Sequence, residues 1–200
     1  MEQNVRNWSH STSNIFKAVL MFSLGGIAAG IISSILNFIV PGLFTNIIVW
    51  LVGIVVIAGY VLYIINLGNL RDTVGMKEGA AIGQVRTAAI LSIVAAILTM
   101  LNTVLWLASL FNIAAAVIML VGFNTLKKSE SLPSQARDGF SQLFTAMLLS
   151  TISWGISVIL GWIPVVNIVI GIIAAILGII SFILVIMGWN NVKNSPAPTL

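Results

Sequence analysis

Three long stretches of this chain contain no charged residue, and this pattern constrains the fold more than any other feature. They lie between Lys17 and Arg71, between Arg86 and Lys127 and between Asp138 and Lys193. A helix needs about 20 mostly apolar residues to cross the hydrocarbon layer, because lipid offers no partner for unpaired backbone groups. Since 59% of the residues are hydrophobic and only 7% are charged, the sequence predicts a membrane-spanning protein. The same composition excludes a water-soluble globule and a nucleic-acid-binding domain.

Each uncharged stretch is long enough for two helices and has a natural break near its middle. The breaks are Pro41-Gly42, Asn102-Thr103 and Trp162-Ile163-Pro164. Proline and glycine favour tight turns, and Asn and Thr are helix-capping residues. We therefore predict an all-α, polytopic membrane helix bundle with six transmembrane helices, the first at about 17–40, arranged as three tandem helical hairpins.

The predicted domain organisation follows from these breaks. A polar cytoplasmic N-terminus covers 1–14, and a single six-helix transmembrane domain covers 15–193. Its hairpins lie at about 15–67, 83–126 and 140–190. We expect the proline-containing tail at 194–200 to be flexible and cytoplasmic.

Short segments at the hairpin ends align without gaps. Those at the starts are 13–20, 83–90 and 141–148, and those at the ends are 67–71, 123–127 and 189–193. One interpretation is an internal repeat of one hairpin. The other is convergence, because hydrophobic segments align easily and inner helix ends favour an aromatic residue followed by a basic one. Parallel repeats of this kind differ from the inverted repeats of many alternating-access transporters.

All nine Lys and Arg residues lie on one side of the predicted membrane. The opposite turns, near Pro41, Asn102 and Pro164, carry no ionisable residue. Basic residues in short loops stay cytoplasmic. We therefore expect the cytoplasmic (inner) membrane of a prokaryote, with both termini inside.

The predicted inner surface carries a net charge of +4, which attracts anionic lipid headgroups. The candidate contacts are Arg71, Lys77, Lys127, Lys128 and Lys193. The alternative is that these residues only orient and anchor the helices. The expected partners are the lipid bilayer, its anionic headgroups, and either a second copy of the chain or another membrane protein.

The predicted spans contain no Asp or Glu, and the chain has no cysteine and a single histidine. No catalytic, cofactor-binding or metal-ligating cluster can be assembled from these residues. We therefore expect a protein that is not an enzyme and that uses no cofactor. Trp8 and Trp189 are expected at the inner membrane interface, where aromatic belts lie.

Small residues are the remaining candidates for a site. Polar ones either line a hydrated path or bond between helices: Ser33, Ser34, Asn37, Asn112, Ser150, Thr151, Ser153 and Ser157. Others let helices approach closely, either within a packed bundle or in self-association: Gly26, Gly30, Gly171, Ala174, Ala175 and Gly178.

The last hairpin pairs an outer proline turn, Trp162-Ile163-Pro164-Val165-Val166, with the inner end Trp189-Asn190-Asn191-Val192-Lys193. In this it resembles small uncharacterised prokaryotic multi-span membrane proteins, a resemblance that implies no activity. The leading hypothesis is a non-enzymatic membrane component that acts through helix packing or partner binding. The alternative is a channel or facilitator for a small neutral or weakly polar solute.

Overall fold

A computed structural model describes residues 2–39, 43–100, 104–160 and 164–198, with side chains at 3–28, 31, 51, 53–99, 104–158 and 168–198. Every regular element in these ranges is an α-helix. The helices are α1 (Glu2–Ile39), α2 (Leu43–Arg71), α3 (Met76–Met100), α4 (Leu105–Lys127), α5 (Ser134–Leu160) and α6 (Pro164–Asn194). The prediction of an all-α helical bundle with six helices is confirmed.

The helix boundaries agree with the breaks expected from sequence. α3 ends at Met100 and α4 begins at Leu105, while α6 begins at Pro164. Proline suits the first helical position because its missing amide proton would have no partner there. The predicted turn residues Pro41-Gly42, Asn102-Thr103 and Trp162-Ile163 lie outside the described residues.

Five helices contain segments that are long and apolar enough to cross a membrane. These segments are Gly53–Arg71, Met76–Thr99, Leu105–Lys127, Ser134–Val158 and Ile168–Asn194. The first predicted span, at 17–40, stays a prediction, because most side chains of its second half lie outside the described residues. The polar N-terminal segment continues α1, where Trp8, Thr12 and Ile15 are buried along one helix face.

The six helices form a closed ring of three hairpins. α1 packs most extensively on α2, α3 on α4, and α5 on α6. Neighbouring hairpins meet through α2 and α3, through α4 and α5, and through α6 and α1. The first and last helices therefore close the ring, and the Trp8 indole Nε1–H donates a hydrogen bond to the Ser195 backbone oxygen at 3.3 Å.

Many of the buried side chains that the structure describes lie at the charged end of the ring, by which we mean the end with both termini and the loops at 72–75 and 128–133. Trp8 and Trp189 are only 1% and 2% exposed there. Both indoles fill space between helices, and their expected place at the inner membrane interface stays a prediction. In its described part the C-terminal tail packs on the bundle, where Ser195 is buried and Ala197 lies against the core.

Glycines let the paired helices approach closely near the charged end. A Cβ atom on Gly188 of α6 would lie 2.8 Å from the backbone oxygen of Gly139 in α5. One on Gly122 of α4 would lie 2.9 Å from the backbone oxygen of Ala81 in α3, and Gly59 of α2 meets the backbone of α1 at a similar distance. A larger residue at Gly59, Gly122 or Gly188 would therefore push the two helix backbones of that hairpin apart.

The Gly188→Val substitution is expected to destabilise the bundle by about 2 kcal/mol, because overpacking a tight contact forces the backbone to move. Gly155→Val on α5, the other helix of this hairpin, is the matched control. A Cβ atom at Gly155 would meet no described atom within 4 Å, so we expect a change below about 0.5 kcal/mol. Chemical unfolding in detergent micelles, followed by circular dichroism, measures both. Equal stability of the two variants would contradict the packing of α5 on α6.

Candidate functional site

Positions that align between the hairpins are buried alike. Ala18, Ala88 and Ala146 are each 0% exposed. The aligned set Leu70, Leu126 and Val192 is also buried, and each of their carbonyls accepts a backbone hydrogen bond from the residue three positions later. The three hairpins thus bury the same aligned positions.

An aromatic cluster crosses the ring near the charged end. It consists of Phe22, Tyr60, Tyr63, Phe123, Phe140 and Trp189, which come from five helices. Phe22 stacks on Tyr60 at 4.3 Å between ring centres, and Trp189 meets Tyr63 edge-on at 5.7 Å. Such pairs add about 0.5–1.5 kcal/mol beyond the area that they bury. The cluster therefore closes this side of the ring's centre with rigid side chains.

A cavity of about 180 Å³ lies beside the aromatic cluster and is lined by all six helices. One lining residue from each helix illustrates this: Phe22, Tyr63, Ser92, Met119, Ser150 and Ser181. A second cavity, of about 360 Å³, lies between α3, α4 and α5. The two cavities share Ser92, Met147 and Ser150, so they adjoin.

The cavities bring together part of the polar set expected from sequence. Asn112, Ser150 and Thr151 line the second cavity. Ser157 instead donates to the Ser153 backbone oxygen of its own helix at 2.9 Å. The side chains of Ser33, Ser34 and Asn37 lie outside the described part of the chain.

Two cavity serines, Ser92 and Ser181, were missed by the sequence analysis. Ser92 could have been found, because it aligns with Ser150 when the hairpin starts at 83–90 and 141–148 are extended.

Most of the cavity hydroxyls donate their one hydrogen bond to another oxygen of the protein. Ser181 donates to the Ala146 backbone oxygen at 2.7 Å, and Ser150 therefore donates to Ser181 across their 2.6 Å contact. Ser92 and Thr151 donate to backbone oxygens of their own helices. Toward the cavity, these hydroxyl oxygens can therefore act only as hydrogen-bond acceptors. The lining thus suits a small neutral molecule that donates a hydrogen bond.

The candidate glycines whose surroundings are described make no close helix contact with the part of the chain that the structure describes. Cβ atoms on Gly26, Gly171 and Gly178 would meet no described atom within 4 Å. Ala175 is exposed and Ala174 is half-buried, while nothing is described around Gly30. The close crossings use other glycines, among them Gly122 and Gly188. Each of these two glycines directly precedes an aromatic residue at an aligned position, Phe123 or Trp189. This shared pattern could have identified them from the sequence.

The basic residues at the charged end occupy different surroundings. Arg71 lines a groove of about 720 Å³ between the first two hairpins, together with Arg86. Lys127 and Lys193 each lie over a phenylalanine ring. Lys77 and Lys128 are exposed. The candidate headgroup contacts of the sequence therefore do not form one site.

In comparisons with protein families, curated proteins and solved structures, nothing matches this chain.

Proposed function

We propose that this chain is a non-enzymatic membrane component that acts by binding a partner helix within the bilayer, and that the partner is a second copy of the chain. The outward face of α6 carries the proposal. Gly171, Ala175 and Gly178 share one helix face because they are spaced four and three residues apart. All three are exposed, and Cβ atoms at the two glycines would meet no described atom within 4 Å.

This face is suited to a second helix for a physical reason. Glycine in a helix is unfavourable by about 1 kcal/mol relative to alanine in soluble peptides. At Gly139 and Gly188 the close contact of the two helix backbones offsets the low helix propensity of glycine. Lipid tails do not drive helices together, so association in a membrane relies on close packing at small residues. Ile172 and Ile179, which are 58% and 60% exposed, form an apolar ridge beside the small face.

The membrane and the orientation form part of the same proposal. The protein lies in the cytoplasmic membrane of a prokaryote, with the charged end on the cytoplasmic side. The one-sided distribution of Lys and Arg supports this orientation. The three hairpins are copies of one unit, and the equivalent burial of Ala18, Ala88 and Ala146 supports the repeat.

The double substitution of Gly171→Leu and Gly178→Leu is expected to lower the dimer association constant in liposomes by at least about tenfold, equivalent to 1.4 kcal/mol. The leucines would hold the two α6 helices apart. Single-molecule photobleaching of the labelled protein measures the dimer fraction as a function of dilution.

Gly155→Leu on α5 is the matched control, because a Cβ atom there would also meet no described atom within 4 Å. It should associate like the unmodified protein. A monomer at every dilution, recovered from native membranes without a stable partner, would contradict the proposal.

A facilitator for a small neutral or weakly polar solute is the second candidate function. The observation that favours it is the pair of adjoining cavities with hydroxyl oxygens. The aromatic cluster would have to open for a solute to pass. Proteoliposomes tested with glycerol, urea and short alcohols distinguish the two functions. This candidate predicts uptake above that of empty liposomes and a clear decrease for Ser150→Leu. Equal uptake with and without the protein would exclude it for these solutes.

A further inference from the structure

Neighbouring hairpins meet at three junctions, and at two of them a lysine lies over a phenylalanine ring. Lys127 Nζ, at the end of α4, is 3.4 Å from the centre of the Phe144 ring in α5. Lys193 Nζ, near the end of α6, is 5.0 Å from the centre of the Phe16 ring in α1. An ammonium over an aromatic face is attracted by the negative face of the ring. These two lysines therefore have a partner within the chain.

The third junction, between α2 and α3, has two arginines in the aligned positions. Arg71 takes the place of the lysine, and Arg86 takes the place of the phenylalanine. Both line the same groove of about 720 Å³. Guanidinium groups stay charged at all physiological pH values. At this junction two positive charges thus line one groove. At each of the other two junctions, a single cation lies over an aromatic ring instead.

The surroundings of Arg86 leave one of its donors without a partner. A Cβ atom on Gly68 of α2 would lie 3.4 Å from Arg86 Cζ, so the absence of a side chain there leaves room for the guanidinium. Arg86 Nε is buried and makes no hydrogen bond with any part of the chain that the structure describes. No described group thus offsets the guanidinium charge at this atom. Because Arg86 also lines the groove, the groove suits a ligand that brings negatively charged acceptor oxygens.

The acidic residues close to this junction in sequence lie elsewhere. The Glu78 carboxylate accepts a hydrogen bond from the Ser129 hydroxyl, and Asp72 lines a separate cavity with His10. The junction between α4 and α5 differs in this respect. Arg137 also has an unpartnered Nε, but Asp138 lines the cavity beside it. Among the described lining residues of the Arg71 groove there is no acidic one.

We propose that the groove lined by α3, by Arg71 of α2 and by Ile118 of α4 binds the phosphate of an acidic membrane phospholipid through Arg71 and Arg86. Two guanidinium forks match the oxygens of a phosphodiester. Ile90, one turn beyond Arg86 on α3, and Ile118 of α4 also line the groove. They provide an apolar surface for an acyl chain, which free phosphate would not use. Basic pockets between helices at the headgroup level are typical phospholipid sites.

The test measures lipid binding to the purified full chain in nanodiscs, with phosphatidylglycerol titrated into phosphatidylcholine and bound lipid counted by native mass spectrometry. Arg71→Gln and Arg86→Gln are each expected to weaken phosphatidylglycerol binding about tenfold, because each removes a charge-assisted hydrogen bond. Arg71 is exposed, so Arg71→Gln keeps the fold even if the second variant does not. Lys128→Gln removes the same charge from an exposed site in the other loop and should change binding less than twofold.

Arg86→Phe gives an independent test, because it recreates the cation and ring pair of the other two junctions. We expect this variant to fold at least as stably as the unmodified chain and to lose phosphatidylglycerol selectivity. Unchanged selectivity in Arg86→Phe or in Arg71→Gln would overturn the proposal. An equal loss in Lys128→Gln would also overturn it, by showing a diffuse charge effect.

Inorganic phosphate distinguishes the source of the ligand. Competition by phosphate at concentrations comparable to those of the lipid would overturn the lipid assignment. The site is independent of the α6 face, so these variants should leave the dimer fraction unchanged.

Discussion

Lipid can solvate neither charges nor unpaired backbone groups, and the rest of this structure depends on that constraint. The backbone of the apolar stretches is therefore helical at every described residue except Val104. The charges are confined to one end of the ring, where the loops and termini can meet water and headgroups. The same end holds close helix contacts, since Gly122, Gly139 and Gly188 bring helix backbones together there.

Much of the architecture could be predicted from sequence because its signals are local. A proline or a pair of capping residues ends a helix regardless of the neighbouring chain, so the boundaries at Met100, Leu105 and Pro164 agree with expectation. The rotation of each helix about its axis could not be predicted in this way. Along most of its length α6 is apolar on all sides, with a mean hydropathy of 3.2 over an 18-residue window within Ile168–Asn194. A helix without a polar face gives no periodic signal for the face that enters the core.

The candidate sites show the same division between local and tertiary information. Ser150 and Asn112 were recognised as polar residues within spans, but their meeting with Ser92 and Ser181 depends on how three hairpins close into a ring. The sequence placed Arg86 with the other basic residues on one side of the predicted membrane and did not indicate its contacts. Its guanidinium lies against Gly68, and only the comparison of the three junctions separates it from the other basic residues. Two junctions pair their cation with an aromatic ring, whereas the two arginines of the third junction would pair with the phosphate of the proposed lipid.

The placement of all charge in one aqueous compartment can be tested directly, because the chain has no native cysteine. Single cysteines are introduced by Gly42→Cys and by Lys128→Cys, and intact cells are treated with a membrane-impermeant maleimide. We expect Gly42→Cys to be labelled in intact cells and Lys128→Cys to be labelled only after permeabilisation. Labelling of both positions from the same side of the membrane would contradict the six-crossing arrangement and the lipid site built on it.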